Sequence, residues 1–406
     1  MILKKYGLPE SGSPYAAEVM NLHFIPPHGW FVSRLFLDFR IVIHKIMEYH
    51  QYDQIVTAPG LPNASSFDGY HCRIMKKLLF FSLRAGLALA SLPCFAQQYA
   101  FDKKISLPGD GGYDYMAIDE VNHHLFVSHG TEFNVVDLAT EQPVGVISGM
   151  KGVHGIAIVN EVNKGFISDG KAGAVVVVDL TSLKVIKTIS LPATDEDAII
   201  YDPASKRVFV FNGDSKSSCA MDIHSLELVK TIDLGGGPEF AVSNGAGLLY
   251  NNIEDLSVLK VIDSRALTVT GTWPLAPCGG PTGIAMDIPN QRLFTGCRGN
   301  KGLSVVDAKS GKVIQTLPIG AGVDAVIYDA AQRLVFVSNG DATATIIKQE
   351  SADKYSVLQT LATQPRAKTM AFDKKTRKLY FSAPQFEPGT RKAVPGSFAV
   401  YVYKPA

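Results

Sequence analysis

The chain has 406 residues, 46% of them hydrophobic and 19% charged, with a formal net charge of +1. That balance suits a folded protein with a sizeable core. It excludes the broad basic footprint of a dedicated nucleic-acid binder and the acid excess of a solvating tail. The 36 glycines and the recurring short Val and Ile runs point to many short strands joined by turns.

Residues 1–74 carry one apolar stretch, HFIPPHGWFVSRLFLDFRIVIHKIMEYH, but no domain pattern. Residues 75–96 read MKKLLFFSLRAGLALASLPCFA: a methionine, two lysines, an apolar run, then small residues before a polar switch. This is the layout of a secretory signal peptide cleaved after Ala96. Arg84 interrupts the apolar run, which is too short to span a membrane. Pro93 before Cys94 argues against a lipoprotein. The expectation is that Met75 is the true start, that 1–74 is a non-native upstream extension or a disordered segment, and that the mature chain is periplasmic or secreted, with no membrane span left after cleavage.

From Gln97 to Ala406 the chain repeats. A turn residue after an apolar run recurs at Asp119, Asn160, Asp202, Asn244, Asp287, Asp329 and Asp373, spaced by 41 to 44 residues. Each of the seven units reads as four strands. In the second they are GIAIV, KGFIS, AVVVVDL and KVIKTISL. Four strands in about 42 residues predict an all-β fold, a seven-bladed β-propeller of four-stranded blades over 97–406. The last unit stops at its third strand, SFAVYVYKPA, while AFDKKISLPG near the start resembles the fourth strands of other units. The N-terminal strand is therefore expected to complete the last blade and close the ring. Asp137, Asp179, Asp222, Asp263 and Asp307 each end a third strand and read as turn formers.

The motifs FVSNGD, FISDG, VVVVDLTSLKVIKTI and VVDAKSGKVIQTLPIG resemble the YVTN family of seven-bladed propellers, the group around the periplasmic protein YncE. The likeness covers nearly all of 97–406. It implies a propeller fold and no shared catalytic motif. The family's Pro-x-Gly start of the first strand survives only in GPTGIAMD.

Elsewhere that start carries Asp114, His154, Asp197, Glu239, Asp324 or Lys368, with Thr282 in the fifth unit. Antiparallel pairing brings the ends of the second strands to the same rim: His129, Asp169, Asn212, Asn252, Cys297, Arg298 and Asn339. Asp114, His129, His154, Asp169, Asp197, Asn212, Glu239, Asp324, Asn339 and Lys368 form the candidate ligand rim. Within it, Asp114, His129, His154 and Asp169 offer two imidazoles and two carboxylates, a donor set for Zn²⁺, while the all-oxygen units suit Ca²⁺. Against this, Asp and Asn beside Gly at strand ends are also ordinary turn chemistry.

An oxidising compartment permits one disulfide. Cys278 and Cys297 belong to the same rim and are the candidate pair, with Cys219 a small buried apolar residue. No phosphate-binding loop or nucleophile elbow is present in the sequence. The primary reading is a binding or scaffold protein holding a small molecule, peptide or protein partner on the rim. The alternatives are a metal-dependent hydrolase resembling lactonases and DNA binding by family resemblance. A net charge of −2 over 97–406, from 30 Lys plus Arg against 32 Asp plus Glu, argues against the last.

Overall fold

A computed structural model describes residues 98–109 and 111–406. The signal-peptide and upstream-extension expectations lie outside the described residues. Within them are 28 strands in seven four-stranded antiparallel sheets, one sheet per sequence repeat. The blades span 116–147, 153–190, 196–233, 238–274, 281–318, 323–362 and 370–405, and the last blade takes Tyr99–Ser106 as its outer strand. Each inner strand touches that of the next blade, and blade 7 touches blade 1, so the ring is closed.

Alternation with a period of two makes this packing work. In blade 3, Val208 and Val210 face blade 2, while Phe209 and Phe211 face blade 4. The core is accordingly seven hydrophobic clusters, each shared by two adjacent blades. No blade can bury both faces alone, which is why the repeat must propagate around a ring. Outer strands are exposed: Val185 and Ile186 each keep 48% of their surface.

The five turn-forming aspartates behave as their sequence context predicts. Each carboxylate accepts N–H bonds from the residues two and three positions on, as Asp137 does from Ala139 and Thr140 and Asp222 from His224 and Ser225. Ring closure also follows the sequence. Tyr99–Ser106 pairs with Ala399–Pro405 in antiparallel register. The backbone of Tyr99 exchanges two 2.8 Å hydrogen bonds with the Gln359 amide of blade 6. Across the junction with blade 1, Lys378 lies 2.6 Å from Glu141. Lys404 lies 2.7 Å from Asp102 within blade 7.

Candidate functional site: the channel mouth

The mouth is built by a repeated irregularity. In blades 2 to 6 the inner strand opens with a residue paired to the end of the second strand, as Val153 pairs with Asp169 and Glu196 with Asn212. The register then slips, resuming at Ile156, Ile199, Ala241, Ile284 and Val326. The residue extruded just after the first pair is His154, Asp197, Glu239, Thr282 or Asp324. A bulge re-aims a side chain out of the sheet. Here His154, Asp197, Glu239 and Asp324 come within electrostatic reach of one another, while Thr282 is fully buried and donates to the carbonyl of Val323 in the next blade.

Side chains of the second strands fasten the bulges across blade boundaries. Ser168 accepts a bond from Gly155 N at 3.0 Å and donates to the carbonyl of Asp197 in the next blade at 2.6 Å. At the seam the bond comes instead from the start of an inner strand, where Thr369 of blade 7 donates to the carbonyl of Asp114 in blade 1 at 2.6 Å. Asn252 donates to the carbonyl of Thr282 at 2.7 Å. Gly170 has no room for a side chain: a Cβ there would stand 2.9 Å from the carbonyl of Glu196 and 3.1 Å from the His154 ring. The rim residues are thus held by neighbours on both sides.

Two charged arcs result. In the first, His154 Nδ1 lies 2.9 Å from Asp114 Oδ2 and 3.3 Å from Asp197 Oδ1. Burial alone would lower the pKa of this imidazole, but hydrogen bonds to both carboxylates and their charges outweigh it and raise the value to about 10. His154 is therefore an imidazolium at neutral pH. In the second arc, Asp324 is 3% exposed and receives Lys368 Nζ and Arg298 Nη2, each at 2.6 Å. Lys368 also reaches Asp114 at 3.2 Å, joining the arcs, and Arg298 reaches Glu254 at 2.8 Å. Burial, the negative charges of Asp324 and Asp197, and a hydrogen bond with Glu254 push Glu239 up to about 9, so it stays protonated.

The second-strand residues of the candidate rim lie elsewhere. Antiparallel pairing does bring them to the same end of the blade, but it leaves their side chains between sheets. Asn212 and Asn339 are fully buried and donate within their own blades, to Ser217 and to Thr343 and Thr345. Asp169 accepts the N–H groups of Lys151 and Gly152, and His129 stacks on Phe398 with ring centroids 3.7 Å apart. The four residues Asp114, His129, His154 and Asp169 are therefore not gathered around one point. Among the described residues the donors that do converge are Asp114, His154 and Asp197. Cys278 and Cys297 are joined by a disulfide, and Cys219 is buried and free.

Sequence reasoning missed the floor of the mouth. Tyr115 of blade 1 reaches across to Phe240 of blade 4, with ring centroids 5.1 Å apart. A signal was present. The residue after the extruded position is Gly155, Ala198, Gly283, Ala325 or Thr369 in the other blades, and aromatic only in these two. Glu254 was missed as well, since nothing in its local sequence distinguishes it from a turn residue.

No family model matches the chain, and no curated protein does. Solved structures do: 1774 chains match, so the architecture is widespread and carries no function by itself. One is a chain of the structure described as "Crystal Structure of Mitotic Checkpoint Complex", at 13% identity and a TM-score of 0.65 over 77% of this chain and 94% of that one. At that identity the likeness concerns the fold alone. The protein is a seven-bladed β-propeller with a charged channel mouth over an aromatic floor.

Proposed function

We propose that this protein is a secreted or periplasmic binding propeller of the YVTN type, holding a polar small molecule or a charged peptide segment at the channel mouth. The observation that carries the reading is the repeated bulge. Five successive blades extrude their side chain at the same position, and the residues extruded are mostly charged and differ from blade to blade. A purely structural repeat has no need of such varied side chains at equivalent places. Concave sites with a few convergent polar groups over an apolar floor are where ligands bind.

The test is a thermal-shift screen of the purified chain against charged amino acids, polar metabolites and short charged peptides. A stabilising compound whose effect is lost in Asp114→Asn and Lys368→Met supports the reading. Compounds that stabilise all three proteins equally, or none that stabilise the wild type, count against it.

A second reading rests on the converging donors Asp114, His154 and Asp197. They fit a divalent ion such as Zn²⁺ in donor chemistry, and a metal-activated water there would make the protein a hydrolase. The imidazolium proton on His154 now occupies the position an ion would need, so metal binding must displace it and should strengthen as pH rises. Elemental analysis before and after chelation, with melting curves, decides between the two readings. Binding to DNA has less support, because the cations of the mouth are already paired with carboxylates; salt-dependent retention on a DNA column would revive it.

A further inference from the structure

Below the Tyr115–Phe240 floor the channel continues as a cavity of about 280 Å³. Its walls come from the inner strands of blades 1, 2, 3, 4, 6 and 7, and they are mostly apolar, Ile156, Ile199, Ile327 and Met370 among them, with Asp324 at the mouth end and Glu120 and Lys374 at the other. Beside its far end lies a second recess on the opposite face of the ring, of about 340 Å³. The two share Ile118, Glu120 and Lys374. That recess adds His123, Asp373 and Lys375.

The two compartments differ in chemistry. The first is an open channel lined mostly by apolar side chains, and the second is a recess lined mostly by polar ones. Water needs two to four polar partners to settle in the channel, and its walls offer few. Displacing water by hydrocarbon there is favourable in proportion to the apolar area covered. A dry cavity of about 150 Å³ accepts benzene, so this one accommodates an apolar body of roughly ten carbons.

The entrance selects the other end of the ligand. Lys374 Nζ pairs with Glu120 at 2.8 Å, and both side chains are mostly exposed, so the pair is held weakly. Lys375 has no ion pair among the described residues. Asp373 is occupied, accepting from Lys375 N and from Thr376 Oγ1. The cations that can be recruited are thus Lys374 and Lys375, since the hydrogen bonds of Asp373 direct its oxygens to the turn rather than to either ammonium.

We infer that the channel beneath the charged mouth is a second binding site, for a small anionic amphiphile. Its apolar body lies along the inner strands beneath Tyr115 and Phe240, and its acidic head exchanges with Glu120 for Lys374. The ligand enters from the face opposite the mouth.

The test is calorimetric titration of the full chain with sodium decanoate, compared with decyltrimethylammonium of equal chain length. The expected result is one decanoate per chain, bound at least tenfold more tightly than the cation. Glu120→Gln should tighten decanoate binding by freeing Lys374. Lys374→Glu should abolish the preference for the anion. Ala117→Phe, which fills the cavity, should remove binding while circular dichroism stays that of the wild type. If that variant fails to fold, the two surface variants still decide. Absence of decanoate binding, equal binding of the two amphiphiles, or affinity unchanged by both Glu120→Gln and Lys374→Glu would overturn the inference.

Discussion

Lys368 and Asp324 meet across the boundary between blades 7 and 6, Nζ to Oδ2 at 2.6 Å, and the carboxylate keeps 3% of its surface. Arg298 of blade 5 holds its other oxygen at the same distance. Asp324→Asn would leave two cations facing a neutral amide. We expect a loss of about 2–3 kcal/mol in urea unfolding, less than for a fully buried pair because both cations keep 40% exposure. A change within about 0.5 kcal/mol, the range of ordinary surface substitutions, would show that the pair contributes nothing.

The His154 imidazolium gives stability a pH dependence of known sign. Its pKa rises from 6.5 to about 10 on folding, so the folded state binds the proton more tightly. The contribution is fully present below about 6.5 and is lost as pH climbs toward 10. The melting temperature of the wild type should therefore fall between pH 6 and 9 more steeply than that of His154→Asn. Parallel curves for the two proteins would contradict the assignment.

Glu239 acts in the same direction by a different route. Its pKa rises from 4.5 to about 9, so folding favours the protonated acid, and stability declines as pH passes from 4.5 toward 9. Glu239→Gln keeps the neutral form at every pH. The variant should match the wild type near pH 4.5 and melt several degrees higher at pH 8, at roughly 2 °C per kcal/mol for a domain of this size. A variant less stable than the wild type at pH 8 would mean that Glu239 is ionised.

The disulfide closes a segment with a sequence separation of 19 residues beside the mouth. Restricting the unfolded chain over a loop of that length is worth about 3 kcal/mol. The double substitution Cys278→Ala with Cys297→Ala should lower stability by that order, and reductant should lower the wild type but not the double variant. Wild-type stability indifferent to reductant would argue that the bridge is absent in solution.

Closure can be weakened without deleting a strand. Gln359→Ala removes both bonds to the Tyr99 backbone, leaving an N–H and a carbonyl unmatched at the outer strand of blade 7. A cost of about 1–3 kcal/mol follows. Deleting 100–107 should cost much more, since it removes the whole fourth strand of that blade. A melting temperature unchanged by the deletion would place the seam elsewhere.

The ring itself was legible in the sequence because two periods coincide there: about 42 residues between units and two residues along each strand. The inner-strand half of the site was legible as well, since a break from small or Pro-Gly starts to Asp, His, Glu or Lys marks where the bulge extrudes a side chain. The second-strand half was not. Proximity to the rim follows from antiparallel pairing, but whether Asn212 or Asp169 points to the axis or between sheets depends on the pleat and on the register slip opposite, and neither is written in residue type. Contacts across the ring, such as that of Tyr115 with Phe240, join residues 125 positions apart and have no local periodicity to announce them.

A blade shared by both ends of the described chain has a consequence for synthesis. As the polypeptide emerges, blades 1 to 6 can form in order, but Tyr99–Ser106 must wait for Ala399–Pro405 to arrive before it has a neighbour. Until then the facing surfaces of blades 1 and 6 stand open and apolar, as an arc rather than a ring. The final step joins residues about 300 positions apart and cannot precede synthesis of Ala399–Pro405. Nearly the whole chain must therefore be kept from self-association until its last strand is in hand.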